Sequence, residues 1–259
     1  MTCDEVISVL QKQAPESFAE SWDNPGLLVG RRDKIVNKIL IAIDATDEII
    51  DRAVELSVDM LLTHHPLIFS PLKKINTDDF IGKRVIRLIQ NDISCYAMHT
   101  NFDVLGMAQF SSDILGLTDT EVLEVTYEAD GRVEGIGRVG YLQNVMSLRE
   151  CCELVKKRFN IENVKVFGNS DCTIDRVAIS PGSGKSMISH AISKGAGLLI
   201  TGDIDHHDGI DAVANGLNII DAGHYGIEKI FIPFMEKYLS KNTDLAVYLE
   251  EYNNPFYII

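Results

Sequence analysis

Residues 39–65, ILIAIDATDEIIDRAVELSVDMLLTHH, carry the pattern that decides the fold. An apolar run at 38–44 is followed by a stretch whose apolar residues recur at helical spacing, near 47–56, and then by a second apolar run at 59–63. This order of strand, helix and strand is typical of a parallel sheet covered by helices. Residues 176–207, RVAISPGSGKSMISHAISKGAGLLITGDIDHH, repeat the order and also end in two histidines. The repetition indicates a weak internal duplication.

The other apolar runs extend this pattern along the chain. We predict further strands at 94–98, 176–180, 198–201, 217–221 and 245–249, and helices at 4–14, 81–90, 185–194, 207–215 and 227–238. The fold class is therefore α/β, with two related α/β halves whose mostly parallel sheets are covered by helices. The segment 104–165 is less regular, apart from a strand at RVGYLQ, so we place the domain boundary within it. The predicted halves are 1–125 and 126–259.

The composition excludes several classes of protein. The 259 residues include 38 acidic and 24 basic side chains, a formal charge of −14 that disfavours binding to nucleic acid and to anionic membranes. The sequence has no apolar stretch near ~20 residues and no basic-then-apolar leader, so we expect a cytoplasmic protein without a membrane partner. Five cysteines without CxxC spacing indicate reduced thiols rather than disulfides or a zinc knuckle.

Histidines gather where the predicted strands end. Six of the seven follow a strand, and they are His64, His65, His99, His206, His207 and His224. Open parallel sheets bind ligands at the carboxyl edge of their strands, because the loops there are free to vary. We therefore expect these side chains to share a pocket.

Carboxylates accompany these histidines at regular spacing. Asp103 lies four residues after His99 in the same predicted loop, and Glu228 lies four residues after His224. On a helical turn, residues i and i+4 share a face, so His224 and Glu228 can reach one point. Histidine and carboxylate together are the composition that a transition-metal site requires.

The adjacent pair His64 and His65 raises a separate question. Neighbouring side chains of an extended strand point to opposite faces, so both can reach one pocket only if the chain turns, and Pro66 favours a turn there. Two imidazoles aimed at slightly different points suit two neighbouring ions. The predicted metal ligands are His64, His65, Asp103, His224 and Glu228. The alternative is a polar network without metal.

Three further features leave alternatives open. PGSGKS at 181–186 is not a Walker motif, because Ile179 stands where the first glycine is needed. Its turn could still hold a phosphate on free backbone N–H groups. Alternatively, the turn only joins a strand to a helix. GIGRVG at 135–140 matches GxGxxG by letter, yet no helix follows it, so a dinucleotide fold is not indicated. We interpret Trp22, the only tryptophan, as an anchor packed on the core, with base stacking as the alternative.

Six ordered motifs run along nearly the whole chain. They are WDNPGLLVG (22–30), LLTHHPLIF (61–69), HTNFD (99–103), GIGRVG (135–140), TGDIDHH (201–207) and DAGHYGIEK (221–229). Together they resemble the Nif-three-like family, the GTP cyclohydrolase 1 type 2 homologues, in its short form without an inserted domain. The resemblance implies two α/β halves that face a dimetal centre, and a toroidal homohexamer.

The resemblance also implies a role for each ligand. His64 and His65 would each bind a different divalent ion, Asp103 would join His65, His224 would join His64, and Glu228 would bridge the two. Each subunit would hold two ions, which Zn, Fe, Mn, Co or Ni could supply, since histidine and carboxylate sites accept them all.

The implied activity is hydrolysis of a nucleotide. In the family reaction, water activated by the two ions adds to C8 of the guanine ring of GTP, and ring opening releases formate. We name His99 and His207 as candidates for proton transfer because they lie on strand-end loops and are not among the five ligands; they could instead orient the ligands. The alternative function is a metal-binding regulatory or scaffold protein without turnover. A ring that encircles DNA conflicts with the charge of −14.

Overall fold

The computed structural model describes residues 1–251 and 254–256. The strands are β1 Gly26–Val29, β2 Lys38–Ala42, β3 Met60–Thr63, β4 Ser94–Ala97, β5 Thr118–Ala129, β6 Arg132–Ser147, β7 Lys165–Phe167, β8 Thr173–Ser183, β9 Leu198–Gly202, β10 Asn218–Asp221 and β11 Ala246–Leu249. The helices are α1 Cys3–Gln13, α2 Asp47–Glu55, α3 Phe80–Gln90, α4 Thr100–Phe102, α5 Ala108–Leu115, α6 Leu148–Phe159, α7 Met187–Ser193, α8 His206–Ala214, α9 His224–Glu228 and α10 Phe231–Asn242. A 3₁₀ turn at Glu16–Phe18 and a π-helical turn at Asp103–Met107 complete the regular elements of the described residues.

The chain forms two compact units, which differ from the halves 1–125 and 126–259. The first unit is Met1–Phe102 with the described part of Phe231–Ile259, and the second is Asp103–Ile230. The end of the chain belongs to the first unit because β11 pairs in parallel with β2. The N–H of Ala246 donates to the carbonyl of Asn37 at 2.8 Å, extending that ladder. The order of strands along the sequence does not reveal that the last strand pairs with a strand of the first unit.

The first unit is built on a five-stranded sheet in the order β1-β4-β3-β2-β11. β2, β3 and β4 pair in parallel, and every residue of β3 and β4 is buried, which explains why these strands read as continuous apolar runs. Helices α2 and α3 bury Ile50 and Leu88 in one core with Leu40 and Leu61. The strand–helix–strand order predicted from residues 39–65 is confirmed.

The second unit is built on a six-stranded sheet in the order β5-β6-β8-β9-β10-β7. Its centre, β8-β9-β10, is parallel and is joined by helices α7 and α8, so it repeats the order found in β2, β3 and β4. Helices cover this sheet through a core that includes Leu199, Ile219 and Ala191. The α/β class with parallel strands at the centre of each sheet is confirmed.

A long hairpin lies within the segment 104–165, which we predicted to be less regular apart from one strand. β5 and β6 pair antiparallel from Thr118 to Tyr141, and Asp130 and Gly131 form the turn with φ of 54° and 76°. Two positive φ values define a type I′ turn, for which Asp-Gly is a preferred sequence. The predicted strand RVGYLQ lies within β6, but β5 was missed, because it is an edge strand that is exposed at half of its residues and lacks an apolar run.

The helices of both units are short. The longest described ones, α6 and α10, have 12 residues each, and no described helix is long and apolar enough to cross a bilayer. The single helix predicted at 227–238 is two helices, α9 and α10, separated at residues 229–230. Pro233 explains the break between the two helices. It has no N–H to donate to the carbonyl four residues earlier, so it disfavours one continuous helix. In the first turn of α10 no such hydrogen bond is needed, so Pro233 is tolerated there.

Leu40→Ala tests the core of the first unit. Leu40 is fully buried, so its truncation should lower the free energy of unfolding by about 2–5 kcal/mol through lost burial and a residual cavity. Urea unfolding followed by circular dichroism measures the change. Leu72→Ala, at a site 36% exposed, is the control and should cost no more than about 0.5 kcal/mol. Equal losses in the two variants would show that Leu40 is not part of the core.

Candidate metal centre

Three histidines converge at the carboxyl edge of the first unit's sheet. His64 and His65 directly follow β3, and their N–H groups extend the parallel ladder to the carbonyls of Ala42 and Ile43, at 3.2 and 2.9 Å. His99 follows β4 after one residue. The ligand atoms of His64, His65 and His99 lie within 4.8 Å of one another. Within the first unit, three of the six strand-end histidines therefore lie together at this edge.

Each of these imidazoles is held through its Nδ1 atom. Nδ1 of His64 lies 2.8 Å from the carbonyl of Met98, and Nδ1 of His65 lies 2.8 Å from a carboxylate oxygen of Asp44. A carbonyl only accepts a hydrogen bond, so the proton of His64 is on Nδ1. The neutral ring then presents the lone pair of Nε2, which is the form that ligates a metal.

Asp23 holds His99 in the same way. Nδ1 of His99 lies 2.7 Å from Oδ1 of Asp23, whose side chain is fully buried and also accepts the backbone N–H of Thr100 at 3.0 Å. Burial alone would raise the pKa of Asp23, but the hydrogen bonds from His99 and Thr100 outweigh it and lower the pKa to about 2. A carboxylate that stays ionised accepts a hydrogen bond at Nδ1 and so favours the Nδ1–H tautomer of His99.

A second histidine–carboxylate group forms within the second unit. His224 begins α9 just after β10, and its Nε2 lies 3.0 Å from a carboxylate oxygen of Glu228, as the i,i+4 spacing predicts. Its Nδ1 lies 2.7 Å from Asp203, the residue directly after β9. Sequence analysis left Asp203 without a role. The structure shows that it orients His224.

Glycine makes room for this group. Glu228 is 3% exposed, and a Cβ on Gly182 would lie 2.5 Å from Oε1 of Glu228 and 3.8 Å from Nε2 of His224. Gly182 also has φ of 79°, a conformation that other residues rarely adopt. The absence of a side chain on this glycine of the PGSGKS stretch therefore leaves space for the carboxylate of Glu228. Lys185 of the same stretch pairs with Asp208 at 3.0 Å.

Two predicted site residues remain, Asp103 and His207. Asp103 is the first residue of the π-helical turn Asp103–Met107, a rare element that is frequent at functional sites. His207 is exposed in the first turn of α8, where its ring contacts His206 at 5.2 Å between centroids. Among the described residues, His207 belongs to no group of converging ligand atoms. Its role in proton transfer stays a prediction.

Sequence analysis missed the carboxylates that orient the histidines. Asp23, Asp44 and Asp203 each bind the Nδ1 atom of a histidine that lies 21 or more residues away. One signal was available: Asp44 and Asp203 lie within two residues of a strand's carboxyl end, as the histidines do.

The donor set fits a divalent metal ion. Imidazoles with Nδ1 bound to acceptors present Nε2, and the buried carboxylate of Glu228 lies 3.0 Å from one such nitrogen, that of His224. Histidine nitrogen and carboxylate oxygen are the ligands of Zn, Fe, Mn, Co and Ni in proteins. The histidine and acidic clusters could therefore hold a metal ion.

The fold and these clusters define a class: an α/β protein of two units with histidine–carboxylate groups at the carboxyl ends of its strands. Comparison with known proteins gives the family. The sequence matches the family described as Duf34/NIF3 (NGG1p interacting factor 3) over residues 1–255, and the chain belongs to that family.

Relatives match along the full chain. The chain is 36% identical over 264 residues to a Clostridium perfringens protein named GTP cyclohydrolase 1 type 2 homolog, covering 100% of both chains. It is 28% identical to a Halalkalibacterium halodurans protein of the same name over 341 aligned positions, covering 91% of each. A Bacillus cereus protein related to NIF3 has a crystal structure that superposes with a TM-score of 0.90 at 26% identity, covering 100% of this chain and 99% of that one. The resemblance inferred from the six motifs is confirmed.

Gly182→Ala tests the space that Glu228 occupies. The added methyl group should displace the carboxylate and weaken divalent-metal binding, measured by calorimetric titration. Gly216→Ala is a matched control, because Gly216 has φ of 84° and open space around it. Both variants should lose about 1–2 kcal/mol of stability from backbone strain. If both bind metal like the native protein, the proximity of Gly182 to Glu228 has no bearing on metal binding.

Asp203→Asn tests the orientation of His224. A neutral amide holds the imidazole less firmly, so metal affinity should fall about 10- to 100-fold. Asn also tolerates the φ of 55° found at this position. Asp205→Asn makes the same charge change in the same loop, at a residue whose side chain does not cap α8, and should leave the affinity unchanged. Equal affinities in the two variants would rule out an orienting role for Asp203.

Proposed function

We propose that this protein is a dinuclear-metal hydrolase that opens the guanine ring of GTP and releases formate. The five ligands in the proposal are His64, His65, Asp103, His224 and Glu228, which bind two divalent ions in the roles that the family resemblance implies. One observation carries the proposal: His64, His65 and His224 each have Nδ1 bound to an acceptor, so Nε2 is the nitrogen that would ligate a metal ion. The name shared by the curated relatives supports the choice of substrate.

The metal ions would polarise the group under attack and make water a stronger nucleophile near neutral pH. The protein's own part is proton transfer and orientation. We propose His99 for the proton transfer, because Asp23 fixes its ring through Nδ1 and so directs Nε2, the nitrogen that would accept and return a proton. His207 remains the second candidate. Asp44 and Asp203 act by holding His65 and His224 in the correct tautomer and direction.

The charge of the chain is compatible with an anionic substrate only if the site is locally positive. The formal charge of −14 would repel the triphosphate of GTP. Two divalent ions would add four positive charges and reverse the local field. The proposal therefore predicts that GTP binding depends on bound metal.

We also propose that the protein assembles as a toroidal homohexamer in the cytoplasm. The assembly follows from the family resemblance, and exposed valines on the β5–β6 hairpin support a further protein contact: Val125, Val133 and Val145 are 45–61% exposed. The five cysteines are all free thiols, as expected in a reducing compartment.

Formate release from GTP tests the proposed activity. Protein reloaded with each candidate divalent metal should produce formate stoichiometrically with ring-opened nucleotide, and His65→Ala should abolish turnover by removing a ligand. His190→Ala, at a partly exposed histidine on α7, is the control and should keep activity. Full metal occupancy in the native protein without formate, together with metal loss in His65→Ala, would favour the scaffold function over the enzyme.

A further inference from the structure

Two aromatic side chains of the first unit are exposed as a pair. Trp22 is 57% exposed and Phe69 is 53% exposed, and their ring centroids lie 6.0 Å apart with planes inclined by 49°. The interpretation of Trp22 as a core anchor was therefore wrong. Large aromatic surfaces left open to water mark binding sites more often than they mark ordinary surface.

The backbone beside each ring is fixed. Asp23, the next residue after Trp22, accepts hydrogen bonds from His99 and from the N–H of Thr100 through a fully buried carboxylate. The side-chain amide of Asn24 donates to the carbonyl of Ile68 at 2.6 Å, one residue before Phe69. The backbone that carries both rings is thus held in place before any ligand arrives, which lowers the entropy lost on binding.

The pair adjoins the histidine cluster. The ring centroids of Trp22 and His99 lie 6.2 Å apart at 76°, an edge-on contact, and those of His99 and His64 lie 5.4 Å apart. A planar ligand that stacks on Trp22 would therefore lie beside His99. This continuity links the aromatic surface to the site where chemistry is proposed.

We infer that Trp22 and Phe69 bind the purine ring of the nucleotide substrate by stacking. The inference deepens the proposed function and rests on it for the identity of the ligand. Stacking uses the uncharged face of the base, so the acidic character of the chain does not oppose it. Lys73 and Lys74 are exposed in the same loop as Phe69, between β3 and α3, and offer cations for the phosphates.

Intrinsic fluorescence tests the inference directly, because Trp22 is the only tryptophan in the chain. GTP added to metal-loaded native protein, with excitation at the red edge of the indole band, should quench the emission saturably. Inorganic triphosphate, which carries the charge without the base, should bind without quenching. The inference would be overturned if calorimetry detected GTP binding while the emission stayed unchanged. It would also be overturned if the emission without GTP were already typical of a buried indole, because a second copy of the chain would then cover Trp22.

Variants of Phe69 separate stacking from folding, since they leave the reporter in place. Phe69→Ala should weaken GTP binding about tenfold, and Phe69→Tyr should restore it by returning a ring. Phe80→Ala is the matched control: Phe80 is 59% exposed in the same unit, and its ring contacts the Arg84 guanidinium at 5.0 Å. Its GTP affinity should equal that of the native protein. Equal affinities for Phe69→Ala and Phe80→Ala would overturn the role of Phe69.

Steady-state kinetics separate this inference from the proposed activity. If formate is released, Trp22→Ala should raise KM for GTP about tenfold, because the base loses the ring on which it stacks. Saturable quenching without any formate would reject the proposed activity and leave the stacking site standing. Formate release with an unchanged KM for GTP in Trp22→Ala would support the proposed activity and reject the stacking site.

Discussion

The account depends on one interaction, repeated four times: an acceptor bound to the Nδ1 atom of a histidine. His64 uses a backbone carbonyl, whereas His65, His99 and His224 each use a carboxylate. This bond selects the tautomer, fixes the ring and leaves Nε2 as the donor atom. Without it, an imidazole at a strand end would be free to rotate. With it, the sheet edge presents nitrogen ligands in fixed directions.

The parallel strands explain why the same interaction recurs in both units. Each unit has three consecutive parallel strands, and the chain leaves the carboxyl end of each strand into a loop. In the first unit the ladder itself continues to His64 and His65, so the sheet positions these rings. In the second, Asp203 follows β9 and His224 follows β10, so neighbouring strands supply the carboxylate and the imidazole. The same order of parallel strands thus places a histidine–carboxylate group in each unit.

The sequence predicts those features that depend on local periodicity and on buried strands. β3 and β9 are predicted because every residue is buried, and His224 with Glu228 is predicted because i,i+4 spacing places both on one helical face. The β5–β6 hairpin and the return of β11 were missed, since an exposed edge strand has no apolar run and pairing across the chain leaves no local trace. The orienting carboxylates were missed for a related reason. Asp23 meets His99 across 76 residues, and only the folded chain shows which acid faces which ring.

Anomalous scattering from a crystal soaked in a transition metal tests the central claim most directly, because it identifies the nitrogen that binds. The account predicts two peaks per chain, at about 2.0–2.1 Å from Nε2 of His64, His65 and His224, with every Nδ1 still bound to its acceptor. Metal bound through Nδ1, or rings turned away from Met98, Asp44 and Asp203 on loading, would contradict it.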